Sequence, residues 1–165
     1  MTTTHARIAA AAGISAAMFA CSTPPPKPVP TFLNGSIQVS AQVNPNSNQR
    51  PSPLLLRVYE LKAVAAFNEA DFVSLYQRDQ AELGNDFVAR EEFVLAPGET
   101  KAFQKALAPD TQFLGVVAAF RDLDRSKWRS VVAVDPKKSQ QVVIKASALA
   151  IDTSVATVTP PAKSK

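Results

Sequence analysis

The chain has 165 residues, with 18 Lys and Arg against 14 Asp and Glu, one His and one Cys. The basic excess is small, and its residues alternate with acids, as in RDLDRSKWR (Arg121 to Arg129), so the dense basic face that nucleic acid requires is missing. His5 and Cys21 both lie near the amino terminus. The remainder therefore lacks the groups for Ser-His or Cys-His catalysis, for the common zinc sites and for disulfides. Asp71, Asp86, Glu91, Glu92, Asp122 and Asp124 show no spacing that singles out an acid/base pair, and the five glycines form no phosphate-binding loop. This composition argues against an enzyme.

The chain opens with MTTTHAR, a weakly basic start, and continues with thirteen uncharged, mostly apolar residues from Ile8 to Ala20. A membrane-spanning helix needs about 20 such residues. The run fits instead the apolar core, roughly 7–15 residues long, of a bacterial export signal over residues 1–20. Its end, Met18-Phe19-Ala20-Cys21, resembles the lipobox at which lipoprotein signal peptidase cuts before an acylated cysteine. Ala20 fits that pattern, Met18 stands in for the usual Leu, and Phe19 is bulkier than the usual small residue. An ordinary signal peptide beside an incidental cysteine is the alternative. Cys21 is the only cysteine and sits where the box requires it, so lipidation there is the reading adopted.

An N-acyl and a diacylglycerol group on Cys21 are then expected, with no other cofactor. One acyl chain holds a protein only marginally, whereas two or more anchor it stably. Ser22 follows the cysteine. By resemblance to enterobacterial sorting, where Asp at that place retains a lipoprotein in the inner membrane, Ser implies the outer one. Residues 21–31 include TPPPKPVP, which can form neither helix nor central strand because proline lacks an amide hydrogen and has a fixed φ. At about 3.1 Å per residue in polyproline II, the nine or ten residues make a spacer of roughly 30 Å.

Residues 32–152 are expected to form one domain. In SIQVSAQV (residues 36–43), Ile37, Val39, Ala41 and Val43 alternate with polar residues, the period of a strand with one buried face. NPNSNQRPSP (residues 44–53) is a run of turn formers with no apolar anchor, long for a hairpin connection. LLLRVYEL (residues 54–61) reads as a more buried strand. Phe72, Leu75 and Tyr76 then fall at helical spacing, which predicts one short helix capped at Asn68, with Asp71 three residues on. Strands return in DFVAREEFVL, TKAFQKAL, FLGVVAAF, WRSVVAVD and QQVVIKASAL, separated by Pro97-Gly98, Pro109-Asp110 and Pro136. Residues 153–165 are expected to be a loosely ordered tail. Seven to eight strands without βα alternation predict an all-β, antiparallel β-sandwich with one short inserted helix.

Several pieces in order carry a family resemblance: the lipobox and proline spacer, RPSPLLLRVYEL, FNEADFVSLY, LAPGE, GVVAAFRD and the following Trp128-Arg129. Together they resemble the TssJ family, the SciN-like lipoproteins of type VI secretion. The resemblance implies a transthyretin-like sandwich on the periplasmic side of the outer membrane. It also implies binding to the periplasmic carboxy-terminal region of TssM, which spans the inner membrane with TssL, in a complex that guides a contractile injection apparatus. In that family the variable loop between the first two strands contacts TssM. By position it corresponds here to Asn44, Pro45, Asn46, Ser47, Asn48, Gln49, Arg50, Pro51, Ser52 and Pro53.

That location matches a polar, proline-stiffened loop, in which rigidity lowers the entropy lost on docking. Asn46, Asn48, Gln49 and Arg50 are the expected contact side chains, Arg50 foremost because arginine is enriched in binding hot spots. Tyr59, Phe72, Tyr76 and Phe120 are expected to pack sheet against helix. Trp128 would be a strand-edge plug or an interface anchor, Arg121 and Asp122 a local ion pair, and Gly98 a turn residue. A periplasmic small-molecule-binding lipoprotein is the alternative function, and it requires a concave pocket with converging polar groups.

Overall fold

In the computed structural model, which describes residues 32–157, eight strands form two four-stranded sheets. They are β1 (Phe32–Val39), β2 (Leu54–Leu61), β3 (Phe87–Leu95), β4 (Thr100–Ala106), β5 (Phe113–Ala118), β6 (Arg129–Ala133), β7 (Gln140–Ala146) and β8 (Ile151–Thr157). The first sheet has the order β4-β1-β7-β8 and the second β3-β2-β5-β6. All neighbours are antiparallel except β1 and β7, which run parallel. The expected sandwich is therefore present, with one parallel pair inside it. The signal and spacer read over residues 1–31, Cys21 included, lie outside the described residues.

Alternation sets the inner faces. Leu33, Ile37 and Val39 of β1 point into the sandwich while Phe32, Asn34 and Gln38 face solvent. They meet Leu54, Leu56 and Val58 of β2, Leu114 and Val116 of β5, Val142 and Ile144 of β7, and Ile151 of β8. β1 lies four residues before the predicted stretch. Its alternation does continue to Val43, but the Ser40 carbonyl accepts from the amides of Val43 and Gly98 and turns the chain. β8 extends the sandwich five residues past 152. Of the segment read as a loose tail, residues 153–157 pair with β7, Val142 opposite Val155 and Ile144 opposite Thr153, and the remainder lies outside the described residues.

The second sheet also carries an outer apolar layer, in which Tyr59, Leu61 and Val117 pack against Phe67, Ala70, Leu75 and Leu83. The insertion above it is two helices, α1 (Ala65–Glu69) and α2 (Phe72–Leu83), and not one helix capped at Asn68. Ala70 is extended at ψ 142°, and Asp71 caps α2 by accepting from the Ser74 amide at 2.9 Å. Arg129 Nη1 closes the end of α1 by donating to the carbonyls of Phe67 (2.9 Å) and Ala70 (2.8 Å). Gly115 makes room for Phe67, since a Cβ there would stand 2.7 Å from its ring.

Tyr59 and Phe72 join sheet to helix as expected. Trp128 plugs the same seam, edge-on to Phe72 at 5.4 Å and under the Arg129 guanidinium. Tyr76 is half-exposed, stacked on Phe72 and capped by Arg57. Phe120 departs from the reading: it belongs to the core between the sheets.

Strand direction gives the domain two poles. At one lie Phe32, where β1 begins, and the connections β4–β5 and β6–β7. At the other the residues 40–53, 96–99, 119–128 and 147–150 come together. An eight-residue strand spans about 26 Å, which sets the distance between the poles.

Candidate functional site: a groove at the loop pole

The ten loop residues singled out above occupy the pole opposite Phe32, and they divide into a tip and a root. The tip closes on itself. Asn46 Oδ1 accepts from the amides of Asn48 (2.9 Å) and Arg50 (3.0 Å), the Asn46 amide donates to the Arg50 carbonyl, and the Gln49 amide donates to the Asn46 carbonyl. Gln49 takes φ 60° to complete this turn. The side chains of Ser47, Asn48, Gln49 and Arg50 are thereby displayed, with Pro51 and Pro53 exposed and Pro45 and Asn46 half-buried.

The root is different: although the run carries no apolar anchor, its two ends are packed into the domain. Asn44 is 3% exposed, and Ser52 and the preceding Val43 are also buried. Asn44 has φ 49°, a left-handed conformation that Asn adopts more readily than most residues. Its amide donates to the Ala148 carbonyl (2.9 Å), its Nδ2 donates to the Pro53 carbonyl (2.9 Å), and its Oδ1 accepts from the Arg121 amide (2.8 Å). Burying a polar side chain is costly unless each end is hydrogen-bonded, and here each end is. Asn44 and Ser52 thus shape the loop, while the residues between them are presented.

Through Arg121 the loop root meets a second loop, residues 119–128. The two enclose a half-open groove of about 740 Å³, with Pro45, Asn46, Ser47 and Gln49 on one side, Arg121 to Arg125 on the other, and Leu149 from the β7–β8 turn. Asp122 pairs with Arg125 and not with Arg121 as expected. The hydrogen bond from Arg125 holds the Asp122 carboxyl below its usual range. Arg50, Arg121 and Asp124 enter no salt bridge among the described residues, so their charges are available to a partner.

The sequence reading missed this second wall. RDLDR reads as mixed surface charge, and only the Arg-Asp spacing inside a loop hinted at local order. Among the described residues there is no group of three or more potential metal ligands, and no helix is long and apolar enough to cross a membrane.

Similar proteins agree with the architecture. The fold superposes on the T6SS lipoprotein TssJ1 from Pseudomonas aeruginosa with a TM-score of 0.76 at 37% identity, over 79% of this chain and 100% of that one. Serratia marcescens Lip, a membrane-bound component of the type VI secretion system, matches with 0.70 at 26% identity, over 76% and 98%. A chain in a structure of the T6SS protein TssM C-terminal domain (869-1107) from EAEC matches with 0.62 at 26%, over 74% and 99%. No curated protein sequence matches the chain. Residues 31–149 match the family T6SS-SciN, type VI secretion lipoprotein (VasD, EvfM, TssJ), and with that span and the Pseudomonas likeness the chain belongs to the type VI secretion lipoproteins.

Proposed function

We propose that this lipoprotein is anchored in the outer membrane through acyl chains on Cys21 and fixes the type VI membrane complex there by binding the periplasmic carboxy-terminal region of TssM. TssL would be reached only through TssM. The observation that carries this reading is the polarity of the domain. Cys21 precedes the pole where β1 begins, and the groove lies at the opposite pole, about 26 Å further on. An anchor on one side and a preorganised polar surface on the other is what a membrane adaptor requires.

The likeness to a chain in the TssM C-terminal domain structure supports the same reading. A metabolite site would enclose its ligand among mostly apolar walls. This groove is half-open and lined largely by charged and amide side chains, which suits a protein surface better.

The test is binding of the full chain, in detergent micelles, to the periplasmic carboxy-terminal region of TssM from the same cluster. A second sample carries Gly-Ser in place of residues 46–50. Binding by the first and not the second supports both partner and site. Equal binding by both moves the interface elsewhere on the sandwich, and binding by neither removes the adaptor reading. Separately, Cys21→Ser is expected to release the protein from the outer-membrane fraction.

A further inference from the structure

We infer that Asn44 is a positioning residue, which locks the β1–β2 loop against residues 119–128 so that the two loops form one preset docking surface. The inference rests on the adaptor reading above and extends it to a second loop and to a residue that a partner never touches.

Three observations carry it. First, the Arg121 amide to Asn44 Oδ1 bond is the only hydrogen bond among the described residues that links residues 40–53 to residues 119–128. Second, the same residue ties the loop to the β7–β8 turn through Ala148 and closes the loop's own base through Pro53. Residues 119–128 and the β7–β8 turn are already joined to each other, by the Lys127 amide to the Leu149 carbonyl (2.9 Å) and the Ile151 amide to the Lys127 carbonyl (2.9 Å), and Asn44 fixes the β1–β2 loop to both of them. Third, Asn44 is buried and holds a left-handed φ, which Asn tolerates better than most residues but which still needs its bonds to hold it.

If the groove's walls are preset, a partner meets a surface that is already competent. Loss of the lock lowers the competent fraction, and apparent affinity falls in proportion to that fraction. When competence precedes docking, this fall appears in the association rate. A lost contact acts mostly on dissociation. The two roles therefore separate kinetically.

Asn44→Gly keeps the backbone free to adopt φ 49° while removing both side-chain bonds. In the full chain in micelles, hydrogen exchange in peptides covering residues 119–125 is expected to accelerate about tenfold, and association with the TssM region to slow about tenfold with dissociation nearly unchanged. Arg50→Ala, which removes a displayed side chain, is expected to do the reverse, raising dissociation and leaving exchange at residues 119–125 as it was. Wild-type association by Asn44→Gly, or a loss confined to dissociation, overturns the inference.

Should Asn44→Gly fail to fold, Asn44→Asp serves. Its carboxylate still accepts from the Arg121 amide but cannot donate to the Pro53 carbonyl, so an intermediate slowing of association is expected and wild-type association overturns the inference. If the wild-type chain does not bind TssM, the adaptor reading falls and takes the docking role of Asn44 with it. Exchange at residues 119–125 still reports on the lock itself, and an unchanged rate in Asn44→Gly removes that too.

Discussion

The two poles of the sandwich use polar side chains in opposite ways. At the pole where β1 begins, charge is turned inward and consumed. Lys105 of β4 reaches across from the first sheet to Glu60 of β2 (2.8 Å) and Glu91 of β3 (3.0 Å) in the second. The other oxygen of Glu60 accepts from the Thr111 hydroxyl (2.7 Å) and the Ala108 amide (3.1 Å). Burial by itself would raise the Glu60 carboxyl, but the hydrogen bonds from Lys105, Thr111 and Ala108 outweigh it and hold the carboxyl below its usual value. At the loop pole Asn44 and Ser52 are buried and Asp122 pairs with Arg125, while Ser47, Asn48, Gln49, Arg50, Arg121 and Asp124 stay on display. A pole with every buried charge satisfied can fix the sheets in register but has little left for a partner. A pole with one buried lock and many free donors can recognise one.

The largest expected effect breaks the first pole. Lys105→Met leaves Glu60 buried beside Glu91 without its cation, and removing one member of a buried ion pair costs about 3–5 kcal/mol. Chemical denaturation should show that loss, while binding to TssM by the molecules that remain folded stays unchanged. A loss of less than about 1 kcal/mol would mean that the network is a bystander. The network also sets an acid limit. A carboxyl whose folded-state pKa is depressed adds stability above its unfolded value, near 4.3, and that stability is lost as pH falls through the folded value. Thermal stability should therefore decline below about pH 4.5, and less steeply in Lys105→Met.

A smaller effect is expected between the poles, on the outer face of the second sheet. Gly115→Ala places a Cβ 2.7 Å from the Phe67 ring and 3.0 Å from Leu61, both buried, and overpacking of this kind costs about 1–3 kcal/mol. Exchange should rise first in α1. Asp71→Ala removes the cap of α2 and should lower the denaturation midpoint by less than Gly115→Ala does. Neither change reaches the groove, so TssM association should keep its wild-type rate in both. A slowed association would show that the helical insertion, with half-exposed Tyr76 and exposed Val73, belongs to the docking surface.

Most of the sheet framework was legible because period-two alternation and Pro-Gly breaks are local signals. The β2 strand, the Asn44–Pro53 connection and the Pro97-Gly98 turn, with Gly98 at φ 79°, all follow from neighbours in sequence. β8 escaped because Thr153 and Ser154 are polar and the strand exists only through its pairing with β7. The parallel β1–β7 pair escaped for the same reason, since register between distant segments leaves no local mark. The candidate site was half legible. Composition pointed to the loop, but the burial of Asn44 depends on Pro53, Arg121 and Ala148 meeting in space, up to 104 positions further along the chain. No window of sequence contains that.

The smallest expected effect contrasts the two non-glycine residues of the loop that share a positive φ. Gln49 stands at 60° and Asn44 at 49°. Glycine adopts such angles without the penalty of about 1–2 kcal/mol that a Cβ brings, but it also gives the unfolded chain more freedom. At Gln49 these terms nearly cancel, because the turn is held by Asn46 and by backbone amides and not by the Gln side chain. Gln49→Gly should therefore leave the denaturation midpoint within about 1 kcal/mol of wild type, with exchange at residues 119–125 unaltered. Asn44→Gly gains the same backbone relief yet should lose the lock, so the same substitution five residues away reads the hydrogen bonds and not the angle. If both variants speed exchange at residues 119–125 alike, the groove is held by backbone geometry along the whole loop, and the distinction between its tip and its root disappears.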